Sequence, residues 1–164
     1  MNSFSDYKYS QAELINKSQK IIESGKSGID KQQVLKQILG CIDLTTLSGD
    51  DTFLKVEKLC HQATSYFDGE QGIPNIAAVC VYPVFAKTVH QSLKGTYIKT
   101  SCVAGAFPSG QAPIPILIEE VKYAVDHGDD EIDMVISRGR LIGGDADFIF
   151  DEIRLIKEDC GEAH

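Results

Sequence analysis

No basic block offsets the formal net charge of −8 carried by these 164 residues. Nucleic acid and anionic membranes are therefore poor partners for the chain. No apolar run approaches the length that spans a bilayer, and the polar N-terminus is unlike a secretory leader. The five cysteines (Cys41, Cys60, Cys80, Cys102 and Cys160) are odd in number and never spaced C-x-x-C. Cys41, Cys80 and Cys102 fall in or beside apolar runs. The set reads as reduced packing thiols of a cytoplasmic protein, which excludes a disulfide frame and a zinc site. No grouping of His, Cys and carboxylates suggests a metal, and neither G-x-G-x-x-G nor a Walker-type loop follows the first strand-like run.

What is there is an ordinary globular composition, 43% apolar and 24% charged, with room for one cored domain. Residues 1–40 read as an N-terminal helical extension. A loose tail over 1–9 leads to a helix over 11–23 capped by Ser10, then to a helix over 31–39 capped by Asp30 and ended by Gly40. Over 41–164 the pattern alternates. Strands are expected at 41–45, 76–82, 97–103 and around 132–136. Helices are expected at 52–66, 84–94, 119–127 and 145–160, the last built on Ile149, Ile153 and Ile156, with a glycine-rich loop at 137–144. Four βα units predict an α/β fold with parallel strands and right-handed crossovers. Two architectures fit: an open doubly wound sheet, or the first four units of a (β/α)₈ barrel, which takes roughly 250 residues when whole.

The densest chemical signal is Asp129-Asp130-Glu131-Ile132-Asp133-Met134-Val135-Ile136. Its apolar part reads as a buried strand, apolar on both faces, with Asp133 inside it. A carboxylate there loses hydration and must find hydrogen bonds, find a cation or keep its proton, which is how acid–base groups are tuned. A lone Asp at such a place would more simply mark a strand end. However, Asp43, Thr45 and Thr46 in and after the first strand, and Lys99, Thr100 and Ser101 in the third, suggest a shared polar pocket at the strands' carboxyl ends.

Several segments, in order, resemble deoxyribose-phosphate aldolase. They are Ile42-Asp43-Leu44-Thr45-Thr46-Leu47, Leu59-Cys60-His61-Gln62-Ala63, Ala77-Ala78-Val79-Cys80-Val81-Tyr82-Pro83, Phe107-Pro108-Ser109-Gly110-Gln111, Glu131 through Ile136, Asp151-Glu152-Ile153 and Cys160-Gly161-Glu162-Ala163-His164. The resemblance implies a class I aldolase on a TIM barrel, free of metal and cofactor. Its reaction is the reversible cleavage of 2-deoxyribose 5-phosphate to glyceraldehyde 3-phosphate and acetaldehyde. A neutral lysine on the sixth strand forms the Schiff base that serves as electron sink, and a second lysine depresses its pKa. The family's proton-shuttling aspartate maps onto Asp133, and Asp43 maps onto a carboxylate expected to brace the polar network.

The same resemblance implies that the elements of strands five to eight, the Schiff-base lysine among them, are absent from these residues. The chain is then expected to be a fragment, inactive alone. Ile98-Lys99-Thr100-Ser101 spells the Schiff-base motif but precedes Phe107-Pro108, which places Lys99 on the third strand as a pocket or solvent-facing lysine. Ala106 stands where relatives carry Gly or Asn. Expected partners are a phosphosugar and an aldehyde, with self-association through open sheet edges. The alternatives are a non-catalytic half-barrel module for binding or self-assembly, and a doubly wound phosphosugar- or nucleotide-binding domain.

Overall fold

The computed structural model describes residues 8–25, 28 and 30–164; most of the expected N-terminal tail lies outside them. The chain divides into two compact units, residues 1–36 and 37–164. In the first, α1 (Gln11–Ser24) starts with a capping box. The Ser10 hydroxyl accepts from the Glu13 N–H while the Glu13 carboxylate accepts from the Ser10 N–H. α2 (Lys31–Leu39) crosses the division. The Asp30 carboxylate caps it by accepting from the Gln32 and Gln33 amides.

The larger unit is built on four parallel strands: β1 (Asp43–Thr45), β2 (Ala78–Val81), β3 (Lys99–Ala104) and β4 (Glu131–Met134). They lie in the order β1-β2-β3-β4. An open doubly wound sheet needs a point where strand order reverses, and this sheet has none, so the doubly wound alternative is excluded. α3 (Phe53–Thr64), α4 (Ala86–Ser92), α5 (Ile114–Asp126) and α7 (Ala146–Cys160) supply the packing layer, and a short α6 (Arg138–Ile142) precedes α7. Their stripes follow the expected spacing: Val56, Cys60 and Ala63 of α3 and Leu117, Val121 and Ala124 of α5 are buried. Among the described residues no helix is long and apolar enough to cross a membrane.

The register divides the sheet into two unlike faces. Leu44, Val79, Val81, Cys102, Ile132 and Met134 share one face and join the two apolar clusters packed under the helices. Asp43, Thr45, Lys99, Ser101, Glu131 and Asp133 share the other. β4 is thus not apolar on both faces, as its letters suggested. It alternates, and Asp133 is exposed rather than buried. The expected loss of hydration does not occur in this chain.

Other departures have simple causes. α5 begins before Pro115, because proline is tolerated in a first helical turn, so the preceding loop is shorter than expected. Part of the expected loop at 137–144 coils into α6 despite Gly139, a short helix with no side-chain cap to announce it. Cys41 is exposed; the other four thiols are buried and all five are free.

Candidate active-site face

The candidate residues come together in part. Asp43, Thr45, Lys99 and Asp133 project from one sheet face, as neighbouring positions in the register require. Along that face Asp133 is opposite Val103, at the carboxyl end of β3, while Lys99 opens β3 four residues earlier. At the strand rise this separates the two by about 13 Å along the sheet. Lys99 therefore stands at the amino end, beside Asp129, Asp130 and His164, and outside the rim that Asp133 faces. Thr100 is buried on the helix side. Asp43 lies in the row of Lys99, yet it senses the charge of Asp133. Partial burial, and then the charge of Asp133, hold the Asp43 carboxyl above its ordinary value. The Thr45 hydroxyl donates to the backbone carbonyl of Asp43 (3.1 Å).

The loops at the strands' carboxyl ends are fixed by polar contacts. After β1, the Thr46 hydroxyl donates to Asp51 (2.8 Å), and Lys55 pairs with Asp51 at 2.6 Å. Burial alone would raise the Asp51 carboxyl, but the bonds from Lys55, Thr46 and the Ser48 amide outweigh it and hold it below its ordinary value. After β3, the loop is pressed against β4. Gly105 (φ +83°) and Gly110 (φ +68°) adopt backbone that L side chains rarely take, and an added Cβ would run into the carbonyls of Val135 and Ile136. Between them Ala106 has φ 55°, also left-handed. That conformation is the physical reason a glycine or asparagine suits the position. The Ala106 amide donates to Glu120 (2.9 Å), and the Arg138 guanidinium donates to the Pro108 carbonyl (2.6 Å).

Glu152 is the functional-looking residue that the periodicity argument missed. It is 1% exposed, whereas Ile153, expected on the inner stripe, is 45% exposed. One carboxylate oxygen accepts from the Ser137 amide (2.9 Å) and the other from its hydroxyl (2.5 Å). The signal was available: 149, 152, 156 and 160 is a helical stripe, and a carboxylate inside it requires donors. Ser137 follows β4 closely, so this clamp sets the exit of the strand bearing Asp133. The second missed group is Asp129 at the other end of the sheet. It is 7% exposed, and neither of its carboxylate oxygens meets a hydrogen-bond partner among the described residues. Its nearest polar company is the thiol and backbone of Cys102, and burial is the chief reason its carboxyl is pushed up to about 7.

Beyond Glu152, α7 returns the chain to the sheet edge. The His164 amide donates to the Asp130 carbonyl (3.0 Å), and the Ile132 amide donates to the His164 carbonyl (2.7 Å). These two bonds are one rung of a parallel ladder, with His164 set opposite Glu131.

Known proteins share this arrangement. Human deoxyribose-phosphate aldolase is 40% identical over 134 residues, covering 75% of this chain and 42% of that protein. The deoxyribose-phosphate aldolase of Caldicellulosiruptor saccharolyticus is 37% identical over 121 residues, covering 74% of this chain and 51% of its own length. Among solved structures, the tetrameric deoxyribose phosphate aldolase of Aeropyrum pernix superposes with a TM-score of 0.61 at 25% identity, over 76% of this chain and 50% of that one. The chain spans about half the length of the relatives it matches. The pattern of DeoC/LacD family aldolases matches residues 38–164, and this chain, with its one-faced parallel sheet and Asp133 at the open rim, belongs to that family.

Proposed function

We propose that this chain supplies the first four βα units of a class I deoxyribose-phosphate aldolase, with Asp133 as the proton donor and acceptor. Asp43 and Thr45 support the same polar face. The reaction is the reversible retro-aldol cleavage of 2-deoxyribose 5-phosphate to glyceraldehyde 3-phosphate and acetaldehyde through a Schiff base. The observation that carries this reading is the position of Asp133. It is an exposed carboxylate on the face opposite the apolar clusters, in a strand matching the family, with its charge felt at Asp43. An exposed carboxylate can exchange protons with water and with a substrate carbon, which is the role the reaction needs. The amine that forms the imine must sit within bonding reach of the same substrate carbonyl. Lys99, about 13 Å along the sheet, fails that requirement, and we assign the amine to polypeptide outside these 164 residues.

Borohydride trapping with acetaldehyde tests this assignment. The chain alone should gain no stoichiometric label. Mixed with the complementary half of a relative's barrel, it should support cleavage that is lost with Asp133→Asn. Stoichiometric labelling of Lys99 would overturn the reading. The outer edge of β1, unpaired among the described residues, favours a second reading, a half barrel that binds or self-assembles without catalysis. Light scattering separates the two: stable dimers without complementation activity support the second, and a monomer counts against it.

A further inference from the structure

We propose that Glu152, and with it Glu120, are positioning residues for proton transfer by Asp133, an inference that rests on Asp133 being the proton donor and acceptor. The fold repeats one device at three strand exits. After β1, Asp51 accepts from the Thr46 hydroxyl (2.8 Å) and the Ser48 amide (3.0 Å). After β3, Glu120 of α5 accepts from the Ala106 amide (2.9 Å). After β4, Glu152 of α7 accepts from the Ser137 amide and hydroxyl. Each time, a carboxylate on or just ahead of a packing helix holds the first residues beyond a strand.

Two of these attachments converge on the strand that carries Asp133. The backbone of Gly105 and Gly110 is pressed against the carbonyls of Val135 and Ile136. The Val135 amide donates to the Ala104 carbonyl (3.0 Å), and Arg138 donates to the Pro108 carbonyl (2.6 Å). The loop after β3 and the exit of β4 therefore form one packed unit, tied to α5 through Glu120 and to α7 through Glu152. On the other side of Asp133, the His164 rung holds Asp130 and Ile132. Asp133 is bracketed between the two, one residue past Ile132 and two before Val135. Glu152 is buried in the α7 stripe with Ile149, Ile156 and Cys160, so it acts through the backbone and not on the substrate. Proton transfer needs donor and acceptor within about 3 Å of each other. A shift of about 1 Å in such a group can lower a rate by as much as ~100-fold. Freeing the exit of β4 should therefore slow the chemical step and spare substrate binding.

The test uses the intact chain in two ways. Alone, in amide-resolved NMR, Glu152→Ala and Ser137→Ala should each displace the Asp133 resonance and those of 105–110. Glu152→Gln, which keeps an acceptor for the Ser137 amide, should bring them back toward their native positions. The chain is then mixed with the complementary half of a relative's barrel and assayed for cleavage of 2-deoxyribose 5-phosphate. At equal folded fraction, Glu152→Ala and Glu120→Ala should each lower kcat about tenfold. KM should change by less than about twofold, and Glu152→Gln should recover most of the loss. A merely structural role would lower stability and leave kcat per folded chain unchanged. An Asp133 resonance that stays in place in the alanine variants, an unchanged kcat, or a loss carried by KM would each overturn the assignment. An inactive native mixture would count instead against the catalytic reading, and the resonances of the chain alone would still decide whether Glu152 places Asp133. If Glu152→Ala fails to fold, Ser137→Ala carries both measurements.

Discussion

Glu152 and Asp129 are both buried carboxylates, and the fold treats them oppositely. Glu152 is met by an amide and a hydroxyl from one residue, Ser137, so its burial is compensated and the exit of β4 is fixed. Asp129 has only the thiol and backbone of Cys102 beside it, and burial pushes it toward holding its proton. Burial alone therefore does not set the behaviour of an acid in this sheet; the number of donors converging on it does. The satisfied acid lies toward the candidate catalytic rim, and the unsatisfied one lies at the opposite end.

The largest expected effect breaks the comparison at Asp129. Its native carboxyl ionises at about 7, against an ordinary value of 3.8. The stability it contributes is full below pH 4 and is lost as pH rises through 7, to the extent of ~4 kcal/mol at ~1.4 kcal/mol per pH unit of separation. In urea unfolding at pH 4, 6 and 8, Asp129→Leu should gain on the native chain at each step upward. Parallel stability curves for the two proteins would show that Asp129 finds a partner in solution.

A smaller effect, of the opposite sign, is expected at the satisfied acid. Glu152→Ala strands the Ser137 amide and hydroxyl and should cost about 2–3 kcal/mol. Glu152→Gln, which keeps one acceptor, should cost less. A cycle with Ser137→Ala should show coupling between the two positions, and strict additivity would mean that the clamp is not a unit. The smallest change concerns the loop that both strands support. Ala106→Gly relieves a left-handed backbone at a non-glycine residue and should stabilise the chain by about 1 kcal/mol. A fall in the unfolding midpoint would indicate that this backbone relaxes in solution.

The four βα units, both helix caps of the N-terminal segment and most core stripes could be read from the sequence, because burial and capping leave periodic and local marks. Strand ends could not be read as well: β1 is three residues long where the letters suggested five, since pairing with β2 sets its limits. For the candidate site, polar residues on several strands suggested a shared pocket, and the register places Asp43, Thr45, Lys99 and Asp133 on one face. The position of Lys99 along the face did not, because it depends on the register between β3 and β4, which no single strand records. The burial of Asp133 was misjudged for a related reason. Hydrophobic letters on both sides of an Asp describe a strand, but which of its faces is covered is decided by the helices. Asp129 opens an acidic run in the sequence, and only packing against Cys102 makes it a buried acid.

The press of Gly105 and Gly110 against the carbonyls of Val135 and Ile136 limits how this rim can be re-engineered or can drift. Any side chain at those two positions pushes apart the loops that follow β3 and β4, so diversity must come from the residues between them and just after. A combinatorial library at this rim would keep both glycines and randomise 106, 107, 109 and 111. Variants recovered from it would be expected to retain the fold.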